Sequence, residues 1–442
     1  MFKLTLDTPI PSIRETVEIL QRHVNAFGVP LDYDRMQEYN ALYTIKRNTF
    51  LKKIITYTGS TTSVTDYKDS DFLKVMEKAG CIHALEKTPK GEYSLSGDSV
   101  ASAISKGILS KEIQKLLEMY SQCKSFASII GPFAKIFETY DIVNLETFDN
   151  HRMIITSPTV VEQNTGRAGY QRPAFMNFAR EIQDIITVPK GWIKIDSDSG
   201  QIDPRISQSW LLKDKQLMQC TNMYNDAYYG YLHYCNFLTN EERASGRLDL
   251  SPREITDEMK AKRSNLKTYG NSAMYGGTEN KEGDPDKANF IKYIGGHPAR
   301  VKAESLAAEQ IMRGQTVFKT AFGTPIDIMA GPSAVEDKKY SEKEQFKRRV
   351  NRAINNPIQG TAADLFRYSV KQADRLLMRK APNSTILAYV HDSGKFMVHE
   401  DEYGAVKKDL EGIVSYQVEG WIPIYGDYSE GHTKSDIKRF IE

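Results

Sequence analysis

The sequence predicts an α+β fold, and three observations carry that expectation. Long stretches repeat apolar residues at helical spacing, notably residues 13–24, 36–55, 111–137 and 348–379. A short apolar run, Ile193-Lys-Ile195, follows the turn at Pro189-Lys-Gly191 and reads as a strand that leads into Asp196, Asp198 and Asp203 around a Ser199-Gly200 break. Near the C-terminus, residues 386–390 and 395–398 are two apolar runs joined by His391-Asp-Ser-Gly394, a β-hairpin with Asp392 at its tip.

Composition bounds the function. A chain of 442 residues favours two or three domains or one large elaborated one. At 40% hydrophobic and 26% charged residues it can bury a sizeable core. The net charge is only +2, so any nucleic-acid binding must come from a local basic groove offset by acidic surface elsewhere. Cys81, Cys123, Cys220 and Cys235 form no Cys-x-x-Cys pair, which argues against a disulfide framework or a zinc site. No signal peptide and no apolar run long enough to span a membrane is visible, so a soluble, intracellular protein without a membrane partner is expected.

In order along the chain, the periodic segment over residues 11–57 is broken at Gly28-Val-Pro30 and carries a basic patch of Lys46, Arg47, Lys52 and Lys53. Residues 60–71 read as a polar loop and residues 88–93 as a turn. Helices are expected over residues 96–108 and 111–137, then short strands at Met153-Ile-Ile155 and Val160-Val161 with a turn at residues 164–167. A tyrosine-rich helical region spans residues 211–234, and Ser251-Pro-Arg-Glu254 has the form of a capping box with proline in the first helical position. Residues 324–347 read as a charged surface excursion before the long helix. The start of that helix is lined with Gly360, Ala362 and Ala363, small enough for a backbone or a DNA strand to approach.

The chemistry concentrates at two places. A carboxylate where a strand ends can hold a divalent cation in the open, with one face left for substrate oxygens. An acidic turn capping the next helix would use the same residues; a second carboxylate in a matching setting, Asp392, favours the cation site. On a helix, Arg263, Lys267, Asn271 and Tyr275 fall four apart in one slanting stripe. Two cations, an amide and a phenol suit a triphosphate under a base, although a solvated basic face would show the same spacing.

Together these segments resemble the family A DNA polymerases, the bacterial DNA polymerase I type and its phage relatives. Asp198-Ser-Gly-Gln-Ile-Asp-Pro-Arg205 looks like motif A, and its register with Gln201, Ile202 and Arg205 selects Asp198 over Asp196. Arg263-x3-Lys267-x7-Tyr275-Gly276 has the spacing of motif B, and Val390-His-Asp392 matches motif C. Ile354 to Asp364 is close to the palm-helix signature, and Thr165-Gly-Arg167 to the element that touches the primer end. The resemblance implies a right-hand fold: a mostly helical thumb over 1–147, palm over 148–215 and 336–442 with an antiparallel sheet, and helical fingers over 216–335.

It also implies a chemistry. Asp198 and Asp392, with the Ser199 backbone carbonyl, would hold two Mg²⁺ ions, for which Mn²⁺ can substitute. Arg263 and Lys267 would neutralise the triphosphate of a dNTP, with Gln201, Asp203, Asn271 and Tyr275 around the nucleotide. Arg167, Asn355, Gln359, Arg205 and His391 would contact primer-template DNA. The chain departs from the family where Asn271 replaces an aromatic residue and Ser393 a glutamate; Thr320 to Pro325 replaces an arginine-rich segment, and Arg352 lies one residue out of register.

No Asp-x-Glu pair of the kind a proofreading exonuclease needs occurs before Asp198, and the chain starts where the family's thumb starts. The expectation is a polymerase-only subunit in a bacterial host cytoplasm, as in a phage replication set, with an exonuclease or processivity subunit encoded separately. Two rivals stand beside it. A single-subunit phage-type RNA polymerase shares the metal aspartates and His-Asp-Ser at motif C, but Gln201-Ile-Asp203 and residues 354–364 resemble the DNA enzymes. A non-catalytic DNA-binding subunit would have no need to keep Asp198, Asp392 and Lys267.

Overall fold

The structure is a computed structural model. It describes residues 1–88, 91–139, 151–154, 157–159, 165, 169–171, 182, 185–248, 255–274, 288, 290–330, 340–390, 392–431 and 438–439. The first part contains β1 (Phe2–Leu4), α1 (Ile13–Phe27), β2 (Val29–Asp32), α2 (Tyr33–Thr58), α3 (Asp69–Lys78), α4 (Gly97–Ser105) and α5 (Lys111–Thr139). Then come β3 (His151–Ile154), β4 (Ser157–Thr159), β5 (Gly169–Gln171), β6 (Trp192–Ser199), α6 (Ile202–Ile206), α7 (Lys215–Tyr224), α8 (Ala227–Tyr234), α9 (Asn240–Ser245) and α10 (Asp257–Met274). The last part has α11 (Pro298–Met312), β7 (Val317–Lys319), β8 (Pro325–Asp327), α12 (Glu342–Lys380), β9 (Thr385–Val390), β10 (Ser393–His399), α13 (Glu400–Glu411), β11 (Tyr416–Val418), β12 (Gly426–Gly431) and β13 (Lys438–Arg439).

The central sheet is five-stranded, in the order β13-β12-β6-β10-β9, with every neighbouring pair antiparallel. One face packs on α12 and α13 through Ile195, Phe366, Val370, Phe396, Val398 and Leu410. The β9–β10 hairpin is the expected one. Gly394 is required in it, because a Cβ there would lie 2.9 Å from the Tyr389 ring.

Helix α12 begins at a capping box formed by Ser341 and Glu344, six residues before the expected start, and continues through Pro357. At Gly360 in its middle the close approach is made by side chains of this chain, not by a backbone. A Cβ on Gly360 would lie 2.5 Å from Ile326 and 2.8 Å from Thr320. The segment expected as a surface excursion from residue 324 therefore starts as β8, with Ile326 and Ile328 buried. Its loop is pinned by fully buried Asp364, which accepts hydrogen bonds from Thr320 (2.5 Å), Thr324 (2.9 Å) and Arg367.

A separate helical unit has its own core of Leu51, Ile54, Phe72, Met76, Leu117 and Tyr120, with Phe72 and Tyr120 stacked at 4.3 Å. Residues 1–27 do not join it, against the expected boundary of 1–147. Strand β1 pairs in parallel with β11, and α1 buries Ile19 and Leu20 in the core beneath the central sheet. The reason is amphipathy: the apolar stripe of α1 needs a partner and finds it beneath the sheet. A third core gathers the tyrosine-rich helices, with Tyr224, Tyr228, Tyr229 and Tyr231 packed against Met259, Leu266 and Phe290.

Candidate active site

Strand β6 sorts its side chains by alternation. Ile195, Ser197 and Ser199 are buried, and the two serines anchor the strand by donating to the carbonyls of Leu410 (3.2 Å) and Val414 (2.9 Å). Lys194, Asp196 and Asp198 take the other face. Asp196 stands between two lysines, 3.0 Å from Lys395 and 3.7 Å from Lys194. Burial opposes its ionisation, but Lys194 and Lys395 outweigh that and hold its pKa below the usual value. Its charge is already matched. Asp198, one alternation further on, is exposed.

The neighbouring strands bring Asp198 its company. In β10, Ser393 lies opposite Asp198, and the Ser199 N–H donates to the Asp392 carbonyl at 2.8 Å, so the hairpin tip is fastened to the end of β6. On the other side, Asp427 of β12 lies opposite Asp198. Directly opposed residues share a face, so Asp198 and Asp427 lie side by side, and Asp392 of the β9–β10 turn is close enough for its charge to act on Asp198. Partial desolvation, then the charges of Asp392 and Asp427, raise the Asp198 pKa to about 7. Among the described residues no three His, Cys, Asp or Glu side chains close around one point as a preformed metal cage would. The donor set fits Mg²⁺ all the same: hard oxygens, one or two carboxylates per ion, and remaining positions left to water and substrate phosphates.

Beyond the strand, Gln201 adopts a left-handed conformation (φ 57°), uncommon for a residue with a Cβ. Its amide explains how that is held. Gln201 Nε2 donates to Asp226 Oδ2 at 2.6 Å, and its Oε1 accepts from the Ala227 N–H at 2.5 Å. Asp226 Oδ1 caps α8 by accepting from the Tyr228 and Tyr229 N–H groups. Arg263 of α10 reaches the same carboxylate, with Nε and Nη2 each 2.8 Å from Oδ2 and its guanidinium over the rings of Tyr228 and Tyr229. Lys267 is exposed one turn further along α10. On α12, Asn355 is buried with its Oδ1 lacking a hydrogen-bond partner, and Gln359, one turn later, is half-buried.

Residues 299–435 match the family model described as DNA polymerase family A, a stretch that includes α12 and the hairpin with Asp392. Over that stretch the chain is similar to DNA polymerase family A. It is similar to DNA polymerase I of Aquifex aeolicus, with 23% identity over 247 residues, 56% of this chain and 39% of that protein. It is 31% identical over 86 residues to DNA polymerase I of Streptococcus pneumoniae, 20% of this chain and 10% of that one. The aligned stretches thus span well under two thirds of these relatives. A solved POL domain of Pol1 from M. smegmatis, in complex with DNA primer-template and dNTP, shares the fold at a TM-score of 0.74 and 17% identity, over 95% of this chain and 69% of that one.

The family A residues expected from sequence are brought together only in part. Asp198 and Asp392 meet at the sheet end, and Gln201 and Arg263 meet at Asp226. Asp203 lies inside the first turn of α6, where Gln201, not Asp203, occupies the capping position. Arg167, Tyr275 and His391 lie outside the described residues, as do the capping box expected at residues 251–254 and the Asn271 side chain on α10.

Arg205 is a correction. It is 3% exposed, and its guanidinium donates to the carbonyls of Pro423 (2.6 Å) and Asn225 (2.7 Å). A cation spent on internal carbonyls braces the protein and does not meet DNA. Arg205→Met should therefore lower stability by about 3 kcal/mol, because two buried carbonyls lose a charged donor. Primer-template affinity, followed by fluorescence anisotropy, should stay within about twofold of wild type. A variant with unchanged melting temperature and weakened DNA binding would restore the original assignment.

Sequence reasoning missed Asp226 and Asp427. Asp226 caps α8, and nothing beside it in the sequence marks its second contact, with Arg263. Asp427 is one acid after an apolar run, and only its strand register links it to Asp198.

Proposed function

We propose that this chain is a template-directed DNA polymerase that adds dNTPs to a primer 3′-hydroxyl by two-metal nucleotidyl transfer, without intrinsic proofreading. The observation that carries the reading is the fastening of the Asp392 tip to the end of β6, where Asp198 points to the open face. When bound, two Mg²⁺ ions would supply charge for both the attacking 3′-oxygen and the leaving pyrophosphate. Asp198 and Asp392 would hold them, while Asp196, already paired with two lysines, stays out of the first coordination sphere. Lys267 and Arg263 neutralise the triphosphate, whose charge shifts toward the leaving group as the bond to the α-phosphorus breaks. Gln359 and Asn355 face the duplex product, and partners are primer-template DNA, dNTPs and a separately encoded exonuclease or processivity subunit. The setting we infer is a bacterial cytoplasm.

The test is primer extension by purified chain with Mg²⁺, once with dNTPs and once with NTPs. Extension with dNTPs and no degradation of a mismatched primer end supports the reading. Preference for NTPs would favour an RNA polymerase, the rival to which Ser393 after Asp392 lends some support.

Sugar choice should depend on Asp203. In the family, the carboxylate after Gln-Ile blocks the space a ribose 2′-hydroxyl would need; Asp203 is one methylene shorter than the usual glutamate. The gate should be present but leaky, by something like 1 kcal/mol. Asp203→Ala is expected to raise ATP use opposite a template thymine about fivefold and to change dATP use little. An unchanged preference for dATP over ATP in Asp203→Ala would leave Asp203 with only its place at the start of α6.

A further inference from the structure

The Asp226 carboxylate does more than cap α8. Its Oδ2 receives Gln201 from the loop behind Asp198 and Arg263 from α10. The turn that carries it is held from the acidic side at three atoms. Gln201 Oε1 takes the Ala227 N–H, Gln201 Nε2 takes Asp226 itself, and Arg205 Nη2 takes the Asn225 carbonyl at 2.7 Å. Arg263 docks on this fixed turn through Nε and Nη2, the side-on edge of a guanidinium. That docking directs the end-on edge, Nη1 with the second N–H of Nη2, away from the carboxylate. Tyr228 and Tyr229 support the plane from below at 5.4 and 5.7 Å. A guanidinium so held offers a pre-set fork to one more anion, and a long flexible side chain is spared the entropy of finding it.

We propose that Asp226 is a positioning residue of the nucleotide site: it sets Arg263 with its outer edge toward the triphosphate and couples that arginine, through Gln201, to the loop behind Asp198. The proposal rests on the nucleotidyl-transfer reading. Asp226→Asn separates the two duties of the residue. The amide oxygen still caps α8, while the amide N–H₂ now confronts donors from both Gln201 and Arg263.

The experiment measures equilibrium binding of a dNTP to the full chain loaded on a dideoxy-terminated primer-template with Mg²⁺, so no turnover is needed. Asp226→Asn should weaken dNTP binding about tenfold, the scale of one charge-assisted hydrogen bond, and shift the melting temperature by less than about 3 °C. Arg263→Lys should weaken binding as well, and Asp226→Asn added to it should cost almost nothing more, since the two act as one unit. Asp226→Ser, which keeps a capping oxygen, should behave like Asp226→Asn and guards against a variant that fails to fold.

Two results overturn the proposal. Tighter dNTP binding by Asp226→Asn would make Asp226 a competitor for Arg263. Independent, multiplying losses in the double variant would make it a cap alone. A wild-type chain that binds dNTP but does not extend primers would sink the polymerase chemistry and leave the Asp226 test intact; one that binds no dNTP would sink both.

Discussion

Asp198→Asn and Asp392→Asn are each expected to cut primer extension by about a thousandfold or more, a loss of roughly 4 kcal/mol of transition-state stabilisation. Primer-template binding should stay within about twofold, because neither carboxylate attracts a phosphate backbone. The change is nearly isosteric, so it removes charge and leaves shape. Stability should hold or rise in Asp198→Asn: desolvation, then repulsion from Asp392 and Asp427, disfavours the Asp198 anion and raises its pKa, and the neutral amide is spared both. A destabilising carboxylate at the open end of a sheet makes sense if a cation and a substrate are meant to complete it. Single-turnover extension and thermal melting check both halves. Retention of more than about a tenth of the activity, a loss below 1.4 kcal/mol, would remove the residue from the metal site.

What could be read in advance follows the range of the interaction. The hairpin around Asp392 is local, two apolar runs about a short polar link, and it is visible as written. Strand β6 is legible for the same reason, since its period of two puts Asp196 and Asp198 on one face within eight residues. The choice between those aspartates needed either the motif register or Lys194 and Lys395 in place, and the second comes from a strand about 200 residues away in sequence. Pairing of β1 with β11 joins the two ends of the chain, and nothing within Phe2–Leu4 announces it. The Arg205 error has a related source. Arginine in a motif invites an anion, while the carbonyls of Asn225 and Pro423 that satisfy it carry no side-chain signature. Gln201 shows the limit most sharply: its left-handed backbone is uncommon for any residue with a Cβ, and it becomes intelligible only once Asp226 and Ala227 are seen to hold the amide.

Lys267→Ala is expected to lower the rate of dNTP incorporation about a hundredfold and to weaken dNTP binding several-fold, while leaving stability unchanged. Lys267 and Arg263 are successive members of one stripe on α10, yet their settings differ. Arg263 is half-buried and its side-on edge is committed to Asp226. Lys267 is exposed one turn beyond, so truncating it leaves no buried group unpaired. An ammonium on a flexible stem can follow charge as it moves from the α-phosphorus toward the leaving pyrophosphate, which is why its loss should tell more on rate than on ground-state binding. Arg263→Ala should show the reverse balance, together with a fall in melting temperature, since it abandons Asp226 inside the protein. Pre-steady-state incorporation over a range of dNTP concentrations separates the two effects. If Lys267→Ala alters only affinity for DNA, with rate and dNTP binding intact, the lysine belongs to a basic surface along α10 and the triphosphate is held by other groups.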